Sequence, residues 1–347
     1  MSQLKRRGFE LGNIPTQIAK ANDLKSWNQG LPVLLKAQCL DSLASHKLNL
    51  LQTEKLVNAV FEEQDCDSLL AKSPYAERLE PKFQSLGSVF NESDEQEIEI
   101  VTFDVMDGDE IIAEDLWMKA SWLSFHDDDA SLRFRFSFGI DLEEDVAADP
   151  HRQELSAELT DAVFPESEII TDNDELEETL KELLGSDGVS FVERIIYFNS
   201  PNGGAYMHHD MERGHAGVVF AQLSGSTFWL ALPKSNLVEE IITFSKNNSW
   251  PDSLSAKMKS EMDELVSNPT KLIEQLDSFK NDTLIHLINE TEEYVQFLIA
   301  RGHGNHLEPG DVFLLPQATE ENCCWHSVFC LGDEMGQALS FAVRQKV

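Results

Sequence analysis

The sequence of 347 residues predicts a mainly β protein with helical additions. The first observation is the alternation of apolar and polar residues in "IEIVTFDVMDG" and "SLRFRFSFGI", which is the period of half-buried strands. The second is the helical spacing of apolar residues in two segments, a mostly helical N-terminal region at 1–96 and an insert at 234–302. The third is the return of strand-like segments after that insert. These patterns predict a β domain over 97–347 that the helical insert interrupts.

The elements follow in order along the chain. The N-terminal region contains "SLASHKLNLLQTEKLVNAVFEEQ", with apolar residues at helical spacing. Between residues 141 and 187, 17 acidic residues stand against Arg152 and Lys181. This composition indicates a solvated helix and its flanking loops, or alternatively an acidic docking site.

The second half begins with "VSFVERIIYFNSP", a strand that ends in a turn. "AGVVFAQLSGSTFWLALP" then predicts two strands that join at Ser224-Gly225-Ser226 and end at Pro233. After the insert, "LEPGDVFLLP", "CCWHSVFCL" and "QALSFAVRQKV" predict the last three strands.

Composition excludes several classes of function. The formal net charge of −35 disfavours direct nucleic-acid binding, which needs cations on phosphates, but it permits a basic protein partner. The N-terminus has no apolar run like that of a signal peptide, and no segment has the roughly 20 apolar residues of a membrane span. Five cysteines form no regular framework, so we expect a reduced, cytoplasmic compartment.

The stretch "GGAYMHHDMERGH" contains the first candidate metal ligands. Side chains two apart on a strand share a face, so His208 and Asp210 project together and His209 points away. An imidazole beside a carboxylate offers two ligands to a borderline metal ion. A second His-x-Asp at His126 and Asp128 lacks the strands that follow His208, and it is interpreted as a polar turn. The later "LEPGDVFLLPQATEENCCWHSV" places His326 on a strand that could return it as a third ligand on one side of a barrel. The alternative is that these are polar residues at strand ends.

These three pieces, in this order, resemble the JmjC/cupin-like iron(II) and 2-oxoglutarate-dependent dioxygenases from about residue 190 to the end. The resemblance implies a double-stranded β-helix, or jelly-roll, core with His208, Asp210 and His326 as the iron ligands. It further implies that 2-oxoglutarate fills two of the remaining metal positions and dioxygen the third. The expected activity is an oxygenase, most simply a hydroxylase, with the helical insert over one mouth of the barrel. The acidity suggests a basic protein or peptide substrate, and a small molecule is the alternative.

One position departs from the family pattern. The distal carboxylate of 2-oxoglutarate needs a cation, and many relatives place a lysine where "GSTFW" has Thr227. Arg344, which shares a face of the last strand with Ser340 and Ala342, is the expected replacement. Lys234 and Arg194 are weaker candidates.

Two further residues precede the metal motif on one strand face. Tyr197 and Asn199 lie two apart, so they are expected either to hydrogen-bond the cosubstrate or to serve as ordinary core and turn residues.

The remaining histidines and cysteines are assigned lesser roles. His209 and His215 are expected to lie around the metal ligands or at the surface. His303 and His306 are expected in a loop before a strand. Cys323 and Cys324, beside Trp325, are expected to be small core residues.

Two other functions stay open from the sequence. Thr227 and the unassigned cation would suit a non-catalytic β-barrel module, and a metal-binding cupin independent of 2-oxoglutarate is the other alternative. Dimerisation is common among the proteins that the chain resembles, and a homodimer of this chain would have to form through the N-terminal helices. A membrane partner is not expected.

Overall fold

The computed structural model of the protein describes residues 4–6, 9–12, 24–62, 64–91, 98–123, 131–139, 149–201, 203–211 and 215–346. The β-strands are β1 (Leu4–Arg6), β2 (Phe9–Gly12), β3 (Val33–Leu35), β4 (Phe83–Asn91), β5 (Ile98–Asp107), β6 (Glu110–Leu123), β7 (Ser131–Phe138), β8 (Val189–Asn199), β9 (Gly204–His208), β10 (Gly217–Gln222), β11 (Ser226–Pro233), β12 (Gly304–Leu307), β13 (Val312–Pro316), β14 (Cys324–Leu331) and β15 (Gly336–Gln345). The helices are α1 (Leu24–Trp27), α2 (Leu40–Ser45), α3 (Lys47–Phe61), α4 (Cys66–Leu70), α5 (Tyr75–Leu79), α6 (Pro150–Val163), α7 (Glu168–Thr171), α8 (Asp174–Leu184), α9 (Lys234–Asn247), α10 (Ala256–Ser267), α11 (Pro269–Ser278), α12 (Asp282–Glu290) and α13 (Glu292–Ala300).

Two antiparallel sheets form the body of the described chain. The large sheet has the strand order β3-β13-β10-β15-β8-β7-β6-β5-β4, and the small sheet has the order β12-β11-β14-β9. From β8 to β15 the chain passes back and forth between the two sheets, as in double-sheet jelly rolls. The protein is therefore mostly β, with a jelly-roll-like sandwich and additional helices.

The sandwich interior is built by alternate residues of facing strands. Phe220 and Phe313 of the large sheet pack with Trp229 and Ala231 of the small sheet in one buried cluster. Because strand side chains alternate between faces, the intervening residues point outward and need their own cover.

Helices supply that cover on both sides. The N-terminal helices and α6 to α8 pack on the outer face of the large sheet. Helix α8 begins after the Asn173 cap and ends at Gly185, which adopts the left-handed conformation of a helix end. It buries its leucines and exposes Asp174, Glu175 and Glu178, so this part of the acidic segment is a solvated helix.

The insert helices α9 to α13 pack on the outer face of the small sheet. Leu237 and Ile241 of α9 share a buried cluster with Phe228, Leu230 and Leu232, the outward residues of β11. The prediction placed this insert over a mouth of the barrel. The outward face of β11 is apolar, so the helices bury it instead.

The large sheet extends past the small one. Strands β4 to β7 continue the large sheet beyond β8. The region 1–96, predicted to be mostly helical, also contains the strands β1 to β4. The small sheet ends at its edge strand β9. The inner face of β7 and β6 in the large sheet therefore lies beyond the part of that sheet that the small sheet covers.

The cysteines take no part in disulfides among the described residues. All five cysteines are buried free thiols, including Cys323 and Cys324 as expected for core residues. Among the described residues, none of the helices combines the length and the apolar character needed to span a membrane.

Candidate metal centre

Two neighbouring strands of the small sheet bring the predicted ligands together. His208 ends β9 and pairs directly with His326 of β14, and Asp210 follows two residues after the strand. The ligand atoms of these three side chains all lie within 4.8 Å of one another. Two imidazoles and a carboxylate thus converge from residues that are distant in sequence.

The distances suit a shared ion. Nε2 of His208 lies 3.4 Å from Asp210 Oδ1, and Nε2 of His326 lies 3.3 Å from Asp210 Oδ2. Ligand atoms about 2.1 Å from an ion and at right angles to each other would be roughly 3 Å apart. The three side chains therefore fit a divalent ion with little movement.

Backbone carbonyls set the tautomer of both histidines. Nδ1 of His208 donates to the Tyr206 carbonyl at 2.6 Å, and Nδ1 of His326 donates to the Cys324 carbonyl at 3.2 Å. With Nδ1 donating to a carbonyl, Nε2 faces Asp210. Nε2 donates to the carboxylate when the imidazole is charged, and it offers its lone pair to an ion when that proton has left. Metal-binding histidines commonly have this arrangement.

The electrostatics favour a carboxylate between two imidazoles. Desolvation raises the pKa of Asp210, but the charge of His326 and the hydrogen bond from His208 outweigh it, so this pKa lies well below the ordinary value. Desolvation lowers the pKa of His208, and the interactions with Asp210 outweigh it and raise the pKa. A bound metal cation would take the place of the proton on Nε2 and would stabilise the Asp210 carboxylate in the same way.

Access and anchoring differ among the three side chains. His208 and Asp210 expose 36% and 41% of their side chains, whereas His326 exposes 3%. The His326 ring stacks on Trp229 with the ring centres 5.4 Å apart. A rigid ligand at the back and two open ligands in front leave a path for small molecules.

Tyr197 lies on the inner face of β8, where the charges of Asp210 on one side and of Arg133 and Arg135 on the other act on its hydroxyl. Burial raises the pKa of its hydroxyl, the nearby Arg133 lowers it, and Asp210 raises it further. Arg133 hydrogen-bonds Tyr197 and pairs with it across β7 and β8. Nε of Arg133 is buried without a hydrogen-bond partner among the described residues. This arginine is a cation near the centre that the sequence analysis missed.

Thr227 is engaged elsewhere in the sandwich interior. Its hydroxyl donates to Gln222 Oε1 at 2.8 Å and accepts from the Trp229 indole at 2.9 Å. On β11 it lies four residues from Ala231, the partner of His326, which is about 14 Å along a strand.

Arg344 lies apart from Tyr197. Arg344 pairs with Ser190, and Ala338, six residues earlier on β15, pairs with Tyr197. Six residues of strand span about 20 Å, so Arg344 and Tyr197 are not placed around one small group. Asn199 is buried and pairs with Gly336, at the opposite end of β15 from Arg344.

The weaker cation candidates have other partners. Lys234 forms an ion pair with Asp277 at 2.8 Å. Arg194 forms one with Asp161 at 2.6 Å and lies over the ring of Phe341, in the cluster beneath the outer helices.

The other histidines have distinct surroundings. His209 packs on Trp325 on the outer side, with the ring centres 5.1 Å apart. His215 is buried, and its Nε2 lies 3.8 Å from a Glu193 carboxylate oxygen. His303 contacts Glu240 at 2.9 Å, and His306 lies in β12, so the expectation of a loop was wrong for His306. His126 lies outside the described residues.

The missed cations had a signal in the sequence. In "SLRFRFSF", Arg133 and Arg135 alternate with Phe134 and Phe136, which lie in the cluster beneath the outer helices. When arginines alternate with buried apolar residues on a strand inside a sheet, the arginines lie on the other face of that sheet. This pattern indicates that the other face is a polar surface within the protein and is not fully open to solvent.

Comparisons with known proteins add little. No protein-family model and no curated protein matches the sequence. Among solved structures, the chain is similar to an oxidoreductase of the 2OG-Fe(II) oxygenase family from Burkholderia pseudomallei, with a TM-score of 0.27 and 10% identity over 67% of this chain and 69% of that chain. A likeness this loose carries no argument about the function of this chain.

Proposed function

We propose that this protein is an iron(II)- and 2-oxoglutarate-dependent oxygenase, most simply a hydroxylase, on a double-stranded β-helix of the JmjC/cupin type. The alternation of β8 to β15 between two sheets supports this fold. The observation that carries the proposal is the convergence of His208, Asp210 and His326 on one point at the sandwich.

Each ligand has a defined task. The two Nε2 atoms and the Asp210 carboxylate would hold iron on one face and leave its other positions open. When bound, iron(II) with 2-oxoglutarate and dioxygen supplies an oxidant able to attack an unactivated C–H bond. Trp229, stacked on His326, keeps that imidazole in place.

Arg133 is the cation we assign to the distal carboxylate of 2-oxoglutarate. Its guanidinium hydrogen-bonds Tyr197, whose hydroxyl also feels the charge of Asp210. Its buried Nε has no hydrogen-bond partner among the described residues. A carboxylate there would gain a charge-assisted hydrogen bond and relieve the unpaired group. Arg344 is the alternative, and Thr227 is already engaged by Gln222 and Trp229.

The test is an anaerobic titration of the iron(II)-loaded protein with 2-oxoglutarate, following a visible metal-to-ligand charge-transfer band. We expect a band in the wild-type protein, none in His208→Ala, and a Kd for 2-oxoglutarate raised about tenfold or more in Arg133→Gln. Arg344→Gln is run beside it, and Arg152→Gln on helix α6 is the matched control. A raised Kd in Arg344→Gln alone would move the cation to β15.

A second candidate function is a metal-binding cupin independent of 2-oxoglutarate or a non-catalytic module. The engaged hydroxyl of Thr227, where relatives place a lysine, favours it. Iron binding without a band would establish the former, and no iron binding the latter. The cytoplasmic location, the homodimer and the basic protein substrate stay predictions.

A further inference from the structure

Two cations lie side by side on the inner face of the sheet extension. Lys119 of β6 pairs with Arg135 of β7, and Arg135 pairs in turn with Ile195 of β8. Their strand neighbours Met118 and Phe134 belong to the cluster beneath the outer helices, so Lys119 and Arg135 face the opposite way. We call these two residues the Lys119–Arg135 pair.

Among the described residues, no carboxylate is paired with Lys119 or Arg135. Both side chains are half-buried. The Lys119 ammonium lies 4.2 Å from the ring centre of Trp117, which is 5% exposed. Desolvation and the nearby Arg135 lower the pKa of Lys119. Titratable groups shifted by burial together with a nearby charge are concentrated at functional sites.

The pair adjoins the metal centre. Arg133, the neighbour of Arg135 on the same face, hydrogen-bonds Tyr197, and the charges of both arginines and of Asp210 act on that hydroxyl. Strand β6 is two strand spacings from β8, which is about 10 Å. A group bound at the pair would therefore be within reach of a substrate that extends to the metal centre.

We propose that the Lys119–Arg135 pair binds an anionic group, a carboxylate or a phosphate, of a small-molecule substrate. This inference rests on the proposed function and names its substrate class. The net charge of −35 repels long polyanions such as nucleic acids, whereas one anionic group can be held by two close cations. A basic protein substrate, which the net negative charge suggested, would be repelled by these two cations. The pair therefore favours an anionic small molecule over a basic protein.

The experiment measures anion binding to the metal-free protein by isothermal titration calorimetry at constant ionic strength. The probes are sodium malonate and sodium phosphate, and the variant is Lys119→Gln/Arg135→Gln. Lys271→Gln, an exposed lysine on helix α11 paired with Glu264, is the matched control. We expect at least one probe to bind, with a Kd raised tenfold or more in the double variant and unchanged in the control. The tighter probe identifies the anionic group as carboxylate or phosphate.

Further measurements separate binding from folding. Lys119→Arg keeps the charge and should keep the anion affinity, and the double variant should melt no lower than the wild type because a like-charge contact is removed. A wild type that binds neither probe, or a double variant that binds as tightly as the wild type, would overturn the inference. So would a Kd in Lys119→Arg as weak as in the double variant.

Iron and 2-oxoglutarate are tested separately on the same variants. The double variant should keep the charge-transfer band with unchanged affinity for 2-oxoglutarate, because Arg133 is intact. If the wild type binds the probes and shows no band, the oxygenase proposal fails and the anion site stands. If the band weakens with the double variant as it does with Arg133→Gln, the pair serves the cosubstrate and the substrate inference is overturned.

Discussion

Stability of the metal-free protein should rise when a divalent ion is added. His208 and His326 are more than a hundred residues apart in sequence and meet only where β9 pairs with β14, so the unfolded chain offers no comparable site. A ligand that binds only the folded state stabilises it according to its concentration relative to Kd. Manganese(II) is the probe because it accepts the same ligands and resists oxidation in air.

The rise in melting temperature on metal binding follows from the binding free energy and the entropy of unfolding. At a concentration 100 times Kd, binding adds about 2.7 kcal/mol to the free energy of unfolding. The entropy of unfolding for 347 residues is roughly 0.7 kcal/mol per degree. The melting temperature should therefore rise by about 4 °C.

Differential scanning fluorimetry with and without manganese(II) measures this shift. His326→Ala should abolish it, because a buried ligand with 3% side-chain exposure is removed and two ligands remain. His151→Ala, an exposed histidine on helix α6, is the matched control and should shift as the wild type does. A wild type without a shift, or a His326→Ala variant that shifts equally, would refute this account of the centre.

Two further predictions concern the layers around the sandwich. Burial raises the pKa of Glu166 despite hydrogen bonds from Thr53 and Gln337, so the folded state holds this proton more tightly than the unfolded chain. Its contribution is fully present below the ordinary range near 4.5 and is lost as pH rises through the folded pKa. Glu166→Gln should thus raise the free energy of unfolding, measured with urea at pH 7, by about 1–3 kcal/mol. A gain of equal size at pH 4 would contradict a raised pKa of Glu166 as its cause. Leu237→Ala should lose about 2–5 kcal/mol in urea unfolding, because this side chain is 0% exposed between α9 and the small sheet. A loss below about 1 kcal/mol would mean that α9 is not anchored there.

Local patterns predicted most of the elements. The alternation in "VSFVERIIYFNSP" and "SLRFRFSF" corresponds to β8 and β7, and the helical spacing of the insert corresponds to α9 through α13. Such periods depend on neighbouring residues alone, so they can be read without the fold. The N-terminal region was less predictable, since the short strand β3 becomes stable only by pairing with β13.

The convergence of the three candidate ligands was predictable for a related reason, and their role as metal ligands stays a prediction. The two-residue strand period predicted His208 and Asp210 on one side, and "CCWHSV" predicted His326 on a later strand. In the structure β9 ends at His208, so the short segment after the strand, and not the strand itself, directs Asp210 toward the two histidines. The pairing of those strands, the carbonyls that hold Nδ1, and the Trp229 stack were not predictable, because they depend on which strands lie side by side.

The sequence by itself determined which side chains share a strand face, because that follows from backbone geometry between near neighbours. Only the tertiary structure decided what each face meets. It placed Arg133 beside Tyr197 and separated Arg344 from it, and it buried the insert on the outer side of the small sheet. Those outcomes depend on sheet order and layer packing, which join residues far apart in the chain and leave no local period to read.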